Sequence, residues 1–291
     1  MANASPDHVN LFVIGVNKAG TSWLYTLLQK HPDVFMSAQK ELFYFGEQLP
    51  PTSASSYPEG RDEYHAHFPF DQSYRYFGEA TPFYCHDAAV ARELHNYAPD
   101  AKVLAIVRDP VERLYSQFYY QKQLGHVGED AGPDALLGPE AAKFRWNSHY
   151  EELLPPFAEA FGPEQFKLVS LEAASADLDA FWTELQRFLD VRAVPTPTRG
   201  ERSNNATGSP AFRAVYRWLV HPMKRHFPAL YRALLGHPVA RATKGALLRL
   251  LGTADKQALP DAVAAELRAE FRPTYRYLAE QGIDAYEKKS G

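Results

Sequence analysis

The sequence predicts an α/β fold, a parallel sheet covered by helices on both faces. Three observations carry that expectation. Short apolar runs at residues 9–14, 102–107 and 166–171 have the composition of buried strands. Segments of helical spacing alternate with them. The first two runs enter a helix through Gly-bearing or Asp-Pro turns.

Taken in order, Val9, Leu11, Phe12, Val13 and Ile14 form the first run, which ends at Gly15. The loop Gly15-Val16-Asn17-Lys18-Ala19-Gly20 follows. Thr21-Ser22 opens a helix expected to reach about Lys30, where His31-Pro32 stops it. Residues 49–60, rich in Pro and Ser, read as a loop. Residues 87–97 place Val90, Leu94 and Tyr97 at helical spacing, and Pro99 closes the segment. The run 102–107 leads into Arg108-Asp109-Pro110-Val111-Glu112. Asp109 and Glu112 have the spacing of a capping box, and Pro110 takes the favoured first helical position. That helix should run to about Leu124, before Gly125. Residues 125–139 read as a surface loop, and Ser148-x-x-Glu151 as the start of another helix. The third strand spans 166–171. A helix over 177–189 then puts Leu178, Phe181, Leu185, Phe188 and Leu189 on one side. After Val191, the residues Pro195, Pro197, Gly200, Asn204, Asn205 and Gly208 mark a loop, and helical segments run nearly to the end. The expected organisation is one domain over residues 1–291. An α/β core at 10–190 is followed by a loop and a mostly helical part at 191–291.

The chain of 291 residues suits one large α/β domain. A formal net charge of -4 gives no general reason to expect nucleic acid as a partner. The single cysteine, Cys85, excludes an internal disulfide and a cysteine zinc cage, and fits a reducing compartment. Residues 1–10 lack the basic start and apolar run of a signal peptide. No stretch approaches the roughly 20 apolar residues of a membrane helix. The expectation is a soluble, cytoplasmic protein. Its 11 histidines are too scattered to suggest a metal site.

A Gly-bearing loop between a buried strand and a helix start is suited to an anion, because backbone N–H groups and the helix dipole converge there. Gly15-x-x-x-x-Gly20-Thr21-Ser22 resembles a nucleoside-triphosphate loop but lacks the lysine that should directly follow the second Gly. Lys18 instead lies inside the loop. No G-x-G-x-x-G supports a dinucleotide fold. Taken alone, the loop leaves a plain strand-to-helix turn as the alternative.

Two stretches carry a more specific likeness. VIGVNKAGTSWLYTLLQKHPDV, followed by KELFYF, resembles the 5′-phosphosulfate loop of sulfotransferases, especially the carbohydrate-type and related bacterial branch. AKVLAIVRDPVERLYSQFYY resembles that family's 3′-phosphate motif, a strand ending in Arg with Ser eight residues later. GEATPFY is similar to an E-x-T-P-x-Y segment of the same branch, and FGPEQFKLVSLE and FWTELQRFLDV to its downstream strand and helix. The likeness runs over residues 10–210.

The resemblance implies a P-loop-NTPase-like parallel sheet with the donor, 3′-phosphoadenosine 5′-phosphosulfate (PAPS), along its strand ends. It implies that Lys18 contacts the phosphosulfate and stabilises the leaving oxygen. Ala19, Gly20, Thr21 and Ser22 would hold the 5′-phosphate, and Arg108 with Ser116 the 3′-phosphate. A salt bridge to Asp109 or Glu112 is the plain alternative for Arg108. Glu41 occupies the glutamate of the family's K-E segment and would act as general base. Its plain alternative is an ion pair with Lys40. Relatives often carry His beside the Phe pair where this chain has Phe43-Tyr44.

Glu79 stands in a cleft-edge segment that some relatives use for the acceptor. Those relatives have Lys where this chain has Ala80, which weakens a heparan-like reading. Phe43, Tyr44, Phe83 and Tyr84 would line the acceptor cleft. The loop RGERSNNATGSPAFR resembles the family's donor-covering segment, with Asn205, Gly208 and Arg213 its candidate donor contacts. Among histidines, His31 reads as a helix-end residue, and His65 and His67 stay open.

The resulting expectation is transfer of a sulfuryl group to a hydroxyl of a sugar, lipid or natural product, without a metal. An amine acceptor stays open, as does oligomeric state. A nucleotide-dependent kinase with an atypical phosphate loop, or an inactive nucleotide-binding module, are the competing classes. From Arg202 to Ala254 the chain has nine Lys or Arg residues and no acidic one. Solvated helix faces, a rim attracting an anionic acceptor, and a peripheral membrane surface all fit this run.

Overall fold

A computed structural model of the chain describes residues 6–46, 58, 60–124, 126–128, 130–197, 257–283 and 286. Among these, strands β1 (Leu11–Gly15), β2 (Val34–Met36), β3 (Tyr76–Ala80), β4 (Lys102–Val107) and β5 (Phe166–Ser170) form one sheet in the order β2-β3-β1-β4-β5. Every pairing is parallel. The helices are α1 (Thr21–Leu28), α2 (Arg61–His65), α3 (Ala88–Tyr97), α4 (Pro110–Leu124), α5 (Ala142–Trp146), α6 (Tyr150–Leu153), α7 (Pro155–Phe161), α8 (Leu171–Ala176), α9 (Leu178–Leu189), α10 (Asp261–Glu270) and α11 (Arg272–Glu280). This is the α/β arrangement expected from the sequence, P-loop-NTPase-like with the Gly-bearing loop after the central strand.

Alternation along the strands builds two cores. Leu11 and Val13 of β1, with Leu104 and Ile106 of β4, meet Leu24, Leu27 and Leu28 of α1 and Phe181, Trp182 and Leu185 of α9. Phe12, Ile14, Val103, Ala105 and Val107 turn the other way, towards Val90 and Leu94 of α3, Leu114 and Phe118 of α4, and Phe157 of α7. Val263 and Leu267 of α10 and Leu278 of α11 join that second core. Each large apolar side chain so buried stabilises the fold by about 1.5–3 kcal/mol.

Local chemistry sets the element ends. Asp87 accepts from the Ala89 N–H at 2.9 Å and caps α3, while Asp177 accepts from Ala180 at 2.9 Å and caps α9. Helix α4 has the limits its sequence signals give, whereas α1 ends at Leu28, short of Lys30. Two expectations are corrected. The segment 125–139 is not wholly loop, since Pro133–Leu136 form a short 3-10 turn that buries Leu136. Ser148 does not cap α6. It is fully buried, and its hydroxyl donates to the Pro110 carbonyl at 2.9 Å.

Candidate active site

From β1 the chain crosses towards β2, and from β4 it crosses the opposite way to β5. The carboxyl ends of β1 and β4 therefore flank a topological switch point, where open α/β sheets bind ligands. The loop after β1 is tied to β4 by the Val16 N–H, which donates to the Ile106 carbonyl at 2.8 Å. Lys18 lies in the left-handed region with φ 67°, and Gly20 follows with φ 107°. The φ of Gly20 favours glycine, and a Cβ there would lie 2.9 Å from Leu171 Cδ1 and push that side chain aside. Helix α1 then starts with no side-chain cap and no acidic residue in its first turn. Its first two amides, of Thr21 and Ser22, precede the first intrahelical bond, from the Trp23 N–H to the Gly20 carbonyl at 3.0 Å, which is the make-up of an anion site. Thr21 is buried there and Ser22 exposed.

Helix α4 supports this loop from one side. Lys18 Nζ lies 4.1 Å from the centre of the Tyr120 ring. The buried Asn17 donates through Nδ2 to Gln117 Oε1 at 3.5 Å. Arg113, fully buried, donates through Nη1 to the Asn17 carbonyl at 3.4 Å and Oδ1 at 3.3 Å. Its Nε donates to Ser148 Oγ at 2.6 Å and its Nη2 to the Phe144 carbonyl at 2.6 Å. Burial pushes the guanidinium down to about 10, so it stays charged at neutral pH. Sequence reasoning missed Arg113. The signal was a polar stripe of Arg113, Gln117 and Gln121 on α4, which reads as a solvated face but is buried.

Arg108 ends β4. Its Nη2 donates to Glu112 Oε2 at 3.0 Å, the plain ion pair anticipated from sequence, and its carbonyl accepts from the Tyr150 hydroxyl at 2.9 Å. The capping box at this turn only half forms. Asp109 Oδ1 accepts from the Glu112 N–H at 2.9 Å, but the Asp109 N–H donates to Glu172 Oε1 at 3.2 Å. Glu112 is occupied by Arg108, and a carboxylate from α8 replaces it. Ser116, half-buried, shares a helical face with Arg113 and Tyr120.

The second part of the site lies beyond the end of β3. Residues 37–46 cross this end, tied by the Ser37 N–H to the Gly78 carbonyl at 2.8 Å and the Glu41 N–H to the Ala80 carbonyl at 3.0 Å. Glu41 and Phe43 have φ values of 66° and 51°. Lys40 Nζ donates to Glu41 Oε1 at 2.8 Å, with both side chains partly exposed. Phe43 stacks on Phe83 with centroids 5.6 Å apart, and Tyr44 on Tyr64 at 4.1 Å.

Glu79 and Tyr84 are corrected by the structure. Neither edges an open cleft, for both are fully buried. Glu79 Oε1 accepts from the Tyr64 hydroxyl at 2.7 Å and the Tyr84 hydroxyl at 3.1 Å, and Oε2 from Thr81 Oγ1 at 2.8 Å. Burial raises this carboxyl to about 7, although those three hydrogen bonds pull it down. His31 is a helix-end residue, buried and within 3.0 Å of the Arg192 carbonyl. His65 reaches the Tyr97 hydroxyl at 2.7 Å. Asn205, Gly208, Arg213 and the basic run lie outside the described residues.

The Sulfotransferase domain model matches residues 8–205, which span both the loop of Lys18 and the end of β4. The chain belongs to the sulfotransferase family. It is 38% identical over 117 residues to the membrane-associated sulfotransferase kil1 of Dictyostelium discoideum, covering 39% of this chain and 23% of that protein. It is 30% identical over 204 residues to the mouse bifunctional heparan sulfate N-deacetylase/N-sulfotransferase 1, covering 63% of this chain and 22% of that protein. The sulfotransferase chain thus spans less than a quarter of either relative. A crystal structure of a sulfotransferase from Alicyclobacillus acidocaldarius shares the fold with a TM-score of 0.56 at 24% identity, over 77% of this chain and 96% of that one. Among the described residues no helix is long and apolar enough to cross a membrane.

Proposed function

We propose that the chain transfers a sulfuryl group from PAPS to an acceptor hydroxyl. One observation carries the reading. Lys18 and Arg108 follow adjacent strands at the switch point, with the uncapped first turn of α1 beside Lys18. A donor anionic at both ends needs such a divided site. When bound, the donor supplies the sulfuryl group, whose sulfur–oxygen bond to the 5′-phosphate breaks as the bond to the acceptor oxygen forms.

Lys18 and the amides of Gly20 and Thr21, with the Thr21 and Ser22 hydroxyls, stabilise the 5′ end and the negative charge left on it, while the Ala19 N–H stays on the Val16 carbonyl at 3.1 Å. Arg108 exchanges its pairing with Glu112 for the 3′-phosphate, and Ser116 donates from α4. Glu41 takes the acceptor proton. Lys40 holds Oε1, and Oε2 is the oxygen assigned to receive that proton. Phe43 and Tyr44 flank Glu41 and offer ring faces to a sugar, lipid or natural-product acceptor. In this reading residues 1–291 act as one domain. The mouse relative's name adds amines to the acceptors worth screening.

Calorimetric titration with adenosine 3′,5′-bisphosphate tests the donor site. Wild type should bind and Arg108→Ala should lose at least about tenfold in affinity, the minimum for a charge-assisted bond. A folded wild-type protein that does not bind would sink the reading.

A further inference from the structure

We propose that Glu79 is a positioning residue for the transfer, which through Thr81 and Tyr84 fixes the backbone of residues 43–45 and so the turn that presents Glu41. The inference rests on Glu41 being the base.

The logic lies in hydroxyl orientation. Above about pH 7, where Glu79 is ionised, its carboxylate only accepts, and each hydroxyl has one proton to give. Tyr64, Tyr84 and Thr81 all spend that proton on Glu79. The lone pairs of Tyr84 and Thr81 therefore remain to accept. Tyr84 takes the N–H groups of Tyr44 at 3.0 Å and Phe45 at 3.4 Å, and Thr81 that of Phe43 at 3.5 Å. Three successive amides next to the left-handed Glu41 and Phe43 are thus held by hydroxyls that a single buried carboxylate aims. Hydrogen bonds to an ionised group are roughly twice as strong as neutral ones, which suits a fixed turn.

The ends of this segment have anchors of their own. The Ser37 N–H donates to the Gly78 carbonyl, and the Gly46 N–H donates to Glu93 Oε2 at 2.9 Å. Loss of Glu79 therefore loosens the middle and leaves the ends in place. Glutamine at this position would set an amide donor against hydroxyl donors. One hydroxyl would have to accept from that amide and turn its proton outward, which takes one of its two acceptor sites away from the loop.

The test compares Glu79→Gln and Tyr84→Phe with wild type, using hydrogen exchange resolved to residues 43–45, steady-state turnover, and calorimetry with adenosine 3′,5′-bisphosphate. Exchange at 43–45 should quicken in both variants while β1 and β4 keep their protection. kcat should fall roughly 10- to 100-fold, the cost of a small misplacement of a reacting group, with donor KM and bisphosphate affinity within about twofold. Tyr84→Phe retains the ring, so it serves should Glu79→Gln not fold. Unchanged exchange at 43–45, unchanged kcat, or a loss of bisphosphate affinity matching the loss of kcat would each overturn the proposal. Glu41→Gln is assayed beside them. Normal turnover in that variant would defeat the base assignment itself, whereas slow turnover there with normal turnover in Glu79→Gln defeats only the present inference.

Discussion

Beneath the ends of β1 and β4, the loop of Lys18 leans on the buried cation Arg113, while beneath the end of β3 the loop of Glu41 leans on the buried anion Glu79. The partners of the two charges differ in kind. Arg113 is held by the Asn17 and Phe144 carbonyls, Asn17 Oδ1 and Ser148 Oγ. It remains charged at any ordinary pH, and so adds a permanent positive field under the proposed donor site. Glu79 is held by three hydroxyls and titrates near neutrality. One half of the site is electrostatically fixed and the other responds to protons.

Three substitutions test this contrast. Arg113→Met should cost roughly 3–5 kcal/mol in stability, because it strands several buried acceptors at once. Urea unfolding measures it, and a loss below about 1 kcal/mol would show that the cation anchors nothing. Lys18→Ala should lower kcat by about 10²- to 10³-fold with the unfolding midpoint unchanged, the size seen when one leaving-group contact is lost. A matching fall in stability would erase the distinction between the residue that acts and the residue that supports.

The smallest effect concerns pH. Folding raises the Glu79 carboxyl from an ordinary value near 4.5 to about 7. The folded chain therefore binds more protons than the unfolded one across that window. The group's cost is absent below about pH 4.5, grows as pH rises, and is complete above about 7, at up to about 3 kcal/mol. Stability measured at pH 5 and pH 8 should fall between them in wild type by more than in Glu79→Gln. Equal slopes would show that Glu79 does not titrate on its own.

The sequence revealed the donor half more fully than the acceptor half. Strands β1 and β4 are buried on both faces, so they appear as continuous apolar runs, and Pro110 marks the start of α4. Strand β2 has three residues, too few for any period to show. Strand β3 hides behind Gly78 and Glu79, which break its apolar run. Yet a Cβ at Gly78 would lie 2.5 Å from Met36 Sδ, so the glycine makes room for that side chain. Lys18 and Glu41 were singled out because the segments that carry them resemble the family's phosphosulfate loop and K-E motif. Arg113 was overlooked and Glu79 placed at a cleft edge because a charge in a sequence says nothing of its burial until the chain has folded.

Among the described residues, four non-glycine positions have positive φ, and three of them are Lys18, Glu41 and Phe43. Each such conformation costs of order 1 kcal/mol that a glycine or asparagine would largely recover. A laboratory selection for thermal tolerance alone would find gains at these three positions early. Every gain there would remove the ammonium, the carboxylate or the ring. Under the roles proposed above, screens for hardier variants of this chain should therefore hold residues 18, 41 and 43 constant, since heat resistance and turnover would pull on them in opposite directions.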